Sequence, residues 1–454
     1  MTFVVTAVAR AGGWFAIALG VLVLVSLAMT GVLGIVVALV LCAAILAMAV
    51  LGTERVGLFL LMGAYFTAPF YKGFAPSVGS TVTGTDAFLG LGLMLLLPRI
   101  MRGRSHLPLA YTFGVLIIFV TGMLASATAG GVTSFVSLLL WLGMLFVLPF
   151  AMVRMSLRPK EIDFFLWAFV AGQIFSFVVG TLEGGWVVQG RYYGLATQPN
   201  YLAEGGLFAL AGLMMLADRH WYDGIRMRVL ISAAVIGCGT TVILSGSRAG
   251  AACVVVLALL VAIGKRSFKV TLGLALAGGG LLAMWPLILG SAGSGSSFER
   301  LVGGSGTDLS NQARSQGFSA GWERFLSHPV QGTGLVNLYD IHNNYLEVAV
   351  SIGVIGFVGY LAVLYALCRP ILGHLPSRHL GYAAWCLASF GATVPSLYDR
   401  TAWTMVALSA IAMSEAQERR RIAASQPAKR PMVTAARATA PTDPEPSEPV
   451  SALV

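Results

Sequence analysis

The feature that most constrains this chain is a succession of long apolar runs, broken only by short polar stretches, from Gly12 to Met413. In hydrocarbon every backbone N–H and C=O must be satisfied internally, and for runs of this length the helix achieves that. A soluble alternative lacks the surface for it. Charged residues make up 11% of the chain, against about 25% in an ordinary soluble domain. Mean hydropathy is +0.82 and 57% of residues are hydrophobic. The expected fold is all-α: a polytopic transmembrane helix bundle of about 12–14 segments, with a large extracytoplasmic loop carrying short helices.

The runs include Gly12–Thr30, Gly31–Leu51, Ala110–Gly122, Val132–Met152, Ile162–Leu182, Leu202–Ala217, Val229–Leu244, Gly250–Gly264, Val270–Gly290 and Tyr345–Leu367. Let the N-terminus be cytoplasmic and the runs alternate. Of the 29 basic residues, 22 then fall inside and 7 outside: Lys72, Arg191, Arg248, Arg300, Arg314, Arg324 and Arg400. Lysine and arginine are retained on the cytoplasmic side, so the alternation is self-consistent, with both termini inside. The net charge of +10 therefore faces anionic lipid, and nucleic acid is not an expected partner. The five cysteines lie in or at the ends of apolar runs and read as small packing residues.

Three regions follow. Residues 1–182 hold the N-terminal helices. Residues 183–413 hold a second membrane region, which carries the candidate chemistry and includes the extracytoplasmic loop 291–343. Residues 414–454 are rich in Ala, Pro, Ser and Thr and read as a disordered cytoplasmic tail. The loop is the longest polar interval between runs, and such loops usually carry function. Within it, Asn311–Leu326 places Phe318, Trp322 and Phe325 at helical spacing.

Two constellations carry chemistry. The loop ends in Ser327-His328-Pro329, then Gly332-Thr333-Gly334, then His342-Asn343-Asn344-Tyr345-Leu346-Glu347. Gly353, Gly356 and Gly359 follow, at a spacing that lets a neighbouring helix approach closely. His342 can be a polar residue at the membrane interface or a general base; His328, beside a Pro and a Gly-x-Gly turn, can simply shape that turn. The second constellation is basic. Arg191 sits in Gly190-Arg191-Tyr192-Tyr193-Gly194-Leu195, ahead of Gln198-Pro199-Asn200, and Arg248 in Leu244-Ser245-Gly246-Ser247-Arg248-Ala249-Gly250. Arg248 can be a snorkelling anchor or a guanidinium fork for phosphate oxygens. There is no His-Glu-x-x-His, no paired Cys/His spacing and no phosphate-binding Gly-x-x-x-x-Gly-Lys loop.

From Gly190 to Leu361 these pieces resemble the O-antigen ligase and polymerase superfamily of bacterial envelope glycosyltransferases, the Wzy_C family. The resemblance lies in Gly-Arg-Tyr-Tyr-Gly-Leu…Gln-Pro-Asn, then Leu-Ser-Gly-Ser-Arg-Ala-Gly, then His-Pro…Gly-x-Gly…His-Asn-x9-Gly-x-x-Gly-x-x-Gly, in that order. It implies an inner-membrane enzyme that moves a glycan from a polyprenyl diphosphate to an acceptor hydroxyl on a glycan or lipid-glycan. No nucleotide sugar, metal or other cofactor is implied. His342 would be the base. Arg248 and Arg191 would hold the diphosphate, with Arg314, Arg324, His328, Asn343 and Glu347 as further substrate contacts. A polymerase of the same superfamily is the nearest alternative. A transporter is a third reading, but it should show internal repeats and leaves the loop unexplained.

Topology is testable directly. A cysteine at Ser296 should react with a membrane-impermeant thiol reagent in intact spheroplasts; labelling only after lysis would reverse the orientation.

Overall fold

The computed structural model describes residues 46–425 except 47, 75–81, 184–186, 189, 266, 270, 277, 281–307, 337 and 339–340. The expected spans Gly12–Thr30 and most of Gly31–Leu51, half of Val270–Gly290, and the first part of the loop lie outside the described residues. What is described is an all-α bundle with one two-stranded hairpin. Among the described residues, six helical runs are long and apolar enough to cross a membrane. The expected all-α polytopic bundle is therefore what the chain forms.

The first helices form antiparallel pairs. Helix α1 (Thr53–Thr67) packs on α2 (Gly84–Leu95). Gly57 there leaves room for Leu96, which a methyl on it would approach to 2.7 Å. Thr83 and Asp86 form a capping box at the start of α2, satisfying two backbone donors. After the short α3 (Leu97–Arg102), a continuous helical run covers Leu109–Arg154. It is two antiparallel arms and not one long helix. Arm α4 (Leu109–Ala125) ends in a π-turn, and Gly131, at φ 61°, reverses the chain into α5 (Gly131–Leu142) and α6 (Leu148–Arg154). Ser126 bonds Ser134 at 2.7 Å, and Tyr111 Oη donates to Leu145 O at 2.6 Å, clamping the arms.

Helix α7 (Pro159–Leu182) leads through β1 (Val187–Val188) and β2 (Arg191–Tyr192) to α8 (Pro199–His220). Helix α8 is the central post, buried at nearly every position from Leu202 to Leu213. Helices α9 (Ile225–Leu244) and α10 (Arg248–Lys265) are peripheral. They turn large apolar side chains outward, with Ile236 71% and Leu259 59% exposed. Water would penalise that surface by roughly 25 cal/mol per Å²; a bilayer does not. Cys238, Cys253, Cys368 and Cys386 are free and buried, as expected of packing residues.

Helix α11 (Asp308–Ser327) crosses the loop, and α12 (Asn344–Cys368) follows it. The expected aromatic face of α11 packs in part, with Phe325 against the hydrophobic core. Its buried residues are Gly317 and Gly321, while Phe318 and Trp322 are about half exposed. Gly321 brings the helix against Ile341 and Leu346, each 3.1 Å from where its Cβ would sit. Helix α12 lies against α4 along glycines: a methyl on Gly114 would stand 2.6 Å from Gly359 O, and one on Gly356 2.7 Å from Thr121 Oγ1. The expected close approach thus occurs at Gly356 and Gly359. Gly353 does something else, described below. Helices α13 (Tyr382–Phe390) and α14 (Arg400–Ser425) close the bundle. Helix α14 runs past the expected boundary at 414, because Glu415 bonds Ser377 and Glu418 meets His106 at 2.8 Å. Residues 426–454 lie outside the described residues.

Candidate functional site

The two arginine motifs meet. Gly190, at φ 73°, turns β1 into β2 and presents Arg191. Its Nε donates to Ser245 O at 2.7 Å and its Nη2 to Asn200 Oδ1 at 2.8 Å. Asn200 is placed there because Pro199 opens α8, so the Gln-Pro-Asn triplet sits at a helix start. On the other side, Gly246 takes φ 59° and Ser247 Oγ accepts from Gly250 N at 3.3 Å, capping α10. Gly250 then rests on α8, where a methyl would come within 2.8 Å of Ala203 Cβ. Arg248 is therefore fixed in the first turn of α10. Its Nη2 donates to Asn311 Oδ1 in α11 at 2.6 Å, and Arg314 lies one turn further along that helix.

The third motif is joined by backbone hydrogen bonds. Gly353 sits at φ 70°, ψ 179°, so α12 is broken there. In an unbroken helix Val350 O would accept from Val354 N, and Ser351 O from Ile355 N. Instead Thr333 N donates to Val350 O at 2.8 Å, Gly334 N to Ser351 O at 3.0 Å, and Val354 N to Pro329 O at 2.8 Å. The segment Pro329–Gly334 is stitched into the gap. Only glycine suits three of the positions: Gly332 and Gly334 also take positive φ, and a Cβ on Gly332 or Gly353 would collide with the opposing backbone. Leu335 N then donates to Ser134 Oγ at 2.8 Å, tying the same segment to the α4–α5 turn.

Two expected substrate contacts belong to this stitching. Arg324 Nη2 donates to Thr333 Oγ1 and Val336 O, both at 3.3 Å. His328 is exposed, with Nδ1 2.9 Å from Ser327 Oγ, and its carbonyl accepts from Gly332 N at 3.0 Å. Both shape the segment that leads to His342.

His342 is half-buried and left-handed, at φ 53°, an uncommon conformation for a non-glycine residue. Its neighbours hold it there. Asn343 caps α12, with Oδ1 accepting from Leu346 N at 3.0 Å and Nδ2 donating to Ala392 O at 3.0 Å. Asn344 N donates to Gly391 O at 2.7 Å, and its Nδ2 to Tyr360 Oη at 2.7 Å. Glu347 faces the helix core at 2% exposure, and its Oε1 has no hydrogen-bond partner among the described residues. A buried carboxyl group in a membrane helix is costly, which makes Glu347 a candidate site residue.

A further polar cluster lies beside Arg191. Lys72 Nζ stands 3.1 Å from the centroid of Tyr201, next in chain to Asn200. Burial lowers its pKa from the ordinary lysine value, against the pull of Asp399 and Glu204. Tyr71 Oη donates to Asp399 at 3.2 Å, and Arg400 grips Asp86 through Nε and Nη2 at 2.9 and 3.1 Å. Glu204, wholly buried in α8, completes the cluster. None of these was singled out from sequence except Lys72 and Arg400, as outside basic residues. The signal available was the presence of Asp and Glu at the ends of apolar runs. Among the described residues no group of three His, Cys, Asp or Glu side chains forms a metal-ligand set.

Residues 233–361 match the family model described as O-antigen ligase, Wzy_C. No curated protein matches the chain. The O-antigen ligase match takes in most of α9, α10, α11, the stitched segment and α12 as far as Leu361. It contains Arg248, Arg314, Arg324, His328, His342, Asn343 and Glu347, and begins after Arg191. It supports a glycosyltransferase-type enzyme in a multi-pass membrane protein.

The stitching predicts that Gly353→Ala destabilises the protein by roughly 2 kcal/mol, because a strained φ and a lost seam act together. Gly239, helical and with nothing within 4 Å of its Cβ position, is the control. Thermal unfolding in detergent should separate the two variants; equal midpoints would show that the seam carries no stability.

Proposed function

We propose that the protein transfers a glycan from a polyprenyl diphosphate carrier to an acceptor hydroxyl at the outer face of the cytoplasmic membrane. The observation that carries this reading is the clamped, left-handed His342, held at a helix start within the matched O-antigen ligase region. A general base must be kept within hydrogen-bond reach of the proton it removes, and strain tolerated at one histidine is a cost that function justifies.

In this mechanism His342 takes the proton of the acceptor hydroxyl. The oxygen attacks the anomeric carbon of the donor sugar, the bond from that carbon to the diphosphate oxygen breaks, and polyprenyl diphosphate leaves. Direct displacement inverts the anomeric centre. The leaving group gathers negative charge, and preorganised cations stabilise it most effectively where water is scarce. Arg191 and Arg248 supply that charge, brought into one region by the bond from Arg191 to Ser245 O and the cap at Ser247. Arg314 extends it along α11. Asn343 holds the base, and Arg324 and His328 hold the segment before it. An acceptor on a lipopolysaccharide core makes the enzyme a ligase; the end of a second lipid-linked glycan makes it a polymerase.

His342→Asn tests the base without disturbing the backbone, since asparagine tolerates left-handed φ. Transfer by the purified protein should fall by about 10²–10⁴-fold, while donor binding persists. Arg248→Lys keeps the charge but loses the planar fork, and should weaken transfer as well. Wild-type transfer by His342→Asn would remove His342 as the base, and loss of donor binding would move it to the headgroup.

A further inference from the structure

The mechanism above uses the polar end of the donor and leaves its tail unplaced. Beside the Lys72–Arg191 region lies an apolar groove of about 470 Å³, within the roughly 300–1,000 Å³ range of small-molecule sites. One wall is a triad from α1, the turn after it and α7: Phe66, Phe70 and Phe175, with centroids 5.4 to 5.8 Å apart. The other is Phe74 stacked on Phe88, at 6.3 Å. Gly63 and Gly73 leave the floor low.

Leu195 and Gly73 both line the groove, and their backbones approach each other closely. Leu195 follows Arg191 by four residues on the same short connection. Gly73 follows Lys72, whose ammonium lies on Tyr201 beside the asparagine that Arg191 holds. The lining is thus apolar and aromatic apart from Thr67, and two of its residues, Gly73 and Leu195, belong to the short segments that carry the cations Lys72 and Arg191. That is the complement of an amphiphile with a phosphate head and an unsaturated, methyl-branched tail. Flat rings on both sides suit planar alkene units better than a saturated chain that needs only a smooth apolar surface.

We propose that this groove holds the isoprenoid units nearest the diphosphate of the carrier lipid. The inference rests on the donor chemistry proposed above. It adds the tail's position and makes the carrier lipid, not only the glycan, a specificity determinant.

The test uses the full-length protein in phosphatidylcholine nanodiscs. Two probes are compared: polyprenyl diphosphate with a diazirine on its second isoprenoid, and phosphatidylcholine with a diazirine in its acyl chain. The polyprenyl probe should crosslink to peptides containing Phe66–Phe74 or Phe175, and unlabelled polyprenyl diphosphate should displace it. Gly63→Leu places side-chain atoms in the groove, since its Cβ position lies 3.5 Å from the Phe88 ring. It should cut this labelling by about tenfold and raise donor KM with kcat preserved. Phe175→Ala, which widens the groove, should also raise KM. Crosslinking mainly elsewhere, or equal labelling and displacement by the phospholipid probe, would overturn the proposal. Groove labelling by the polyprenyl probe with no transfer by the wild type would support the groove and refute the reaction. Transfer with no groove labelling would do the reverse.

Discussion

The candidate site depends on a broken helix. An α-helix that stops being helical inside a membrane exposes backbone groups that hydrocarbon cannot solvate, at several kcal/mol each. At Gly353 the freed groups are met by the chain's own loop, with Thr333, Gly334 and Pro329 supplying the partners that helical geometry withdraws. The cost of the break therefore becomes a bond between the loop segment Pro329–Gly334 and the bundle. Further contacts hold the chain around His342: the Asn343 cap, the Asn344 contacts with the turn after α13, and the docking of α11 through Gly321. Removing the break would leave the loop without this anchor.

The class of fold was legible because the bilayer imposes it. Runs without charge must be helical, and the spans at Ile162–Leu182, Val229–Leu244, Gly250–Gly264 and Tyr345–Leu367 correspond to helices that start and stop within a few residues of them. The function of Gly353 was not legible in the same way. Three glycines at equal spacing read as one packing stripe, yet Gly356 and Gly359 lie against α4 while Gly353 carries a positive φ. Sequence spacing describes a regular helix and is silent on where that helix is interrupted. The aromatic spacing of α11 predicted a helix there, and its burial is uneven. Phe325 packs on the core while Phe318 and Trp322 stay half exposed, and Gly321 makes the close contact with Ile341 and Leu346.

The site residues divide along the same line. Arg191, Arg248 and His342 stood out because ionisable side chains near a bilayer need a reason to be there. Their mutual placement came only with the fold, since the bond from Arg191 to Ser245 O spans 54 residues of sequence. The cluster of Lys72, Asp86, Glu204, Asp399 and Arg400 joins segments still further apart, and no local motif announces it. Arg324 and His328 look alike in sequence to substrate contacts. Some of their hydrogen bonds run back into the loop, which sequence spacing did not show.

The central claim is that a proton-abstracting histidine and cationic clamps drive displacement at the sugar carbon of a lipid diphosphate. The most direct test is product analysis in proteoliposomes, with a defined lipid-linked glycan as donor and EDTA present. The account predicts one polyprenyl diphosphate released for each glycan transferred, and an inverted anomeric linkage in the product. Release of polyprenyl monophosphate with the second phosphate retained on the glycan, or a product with retained anomeric configuration, would contradict it.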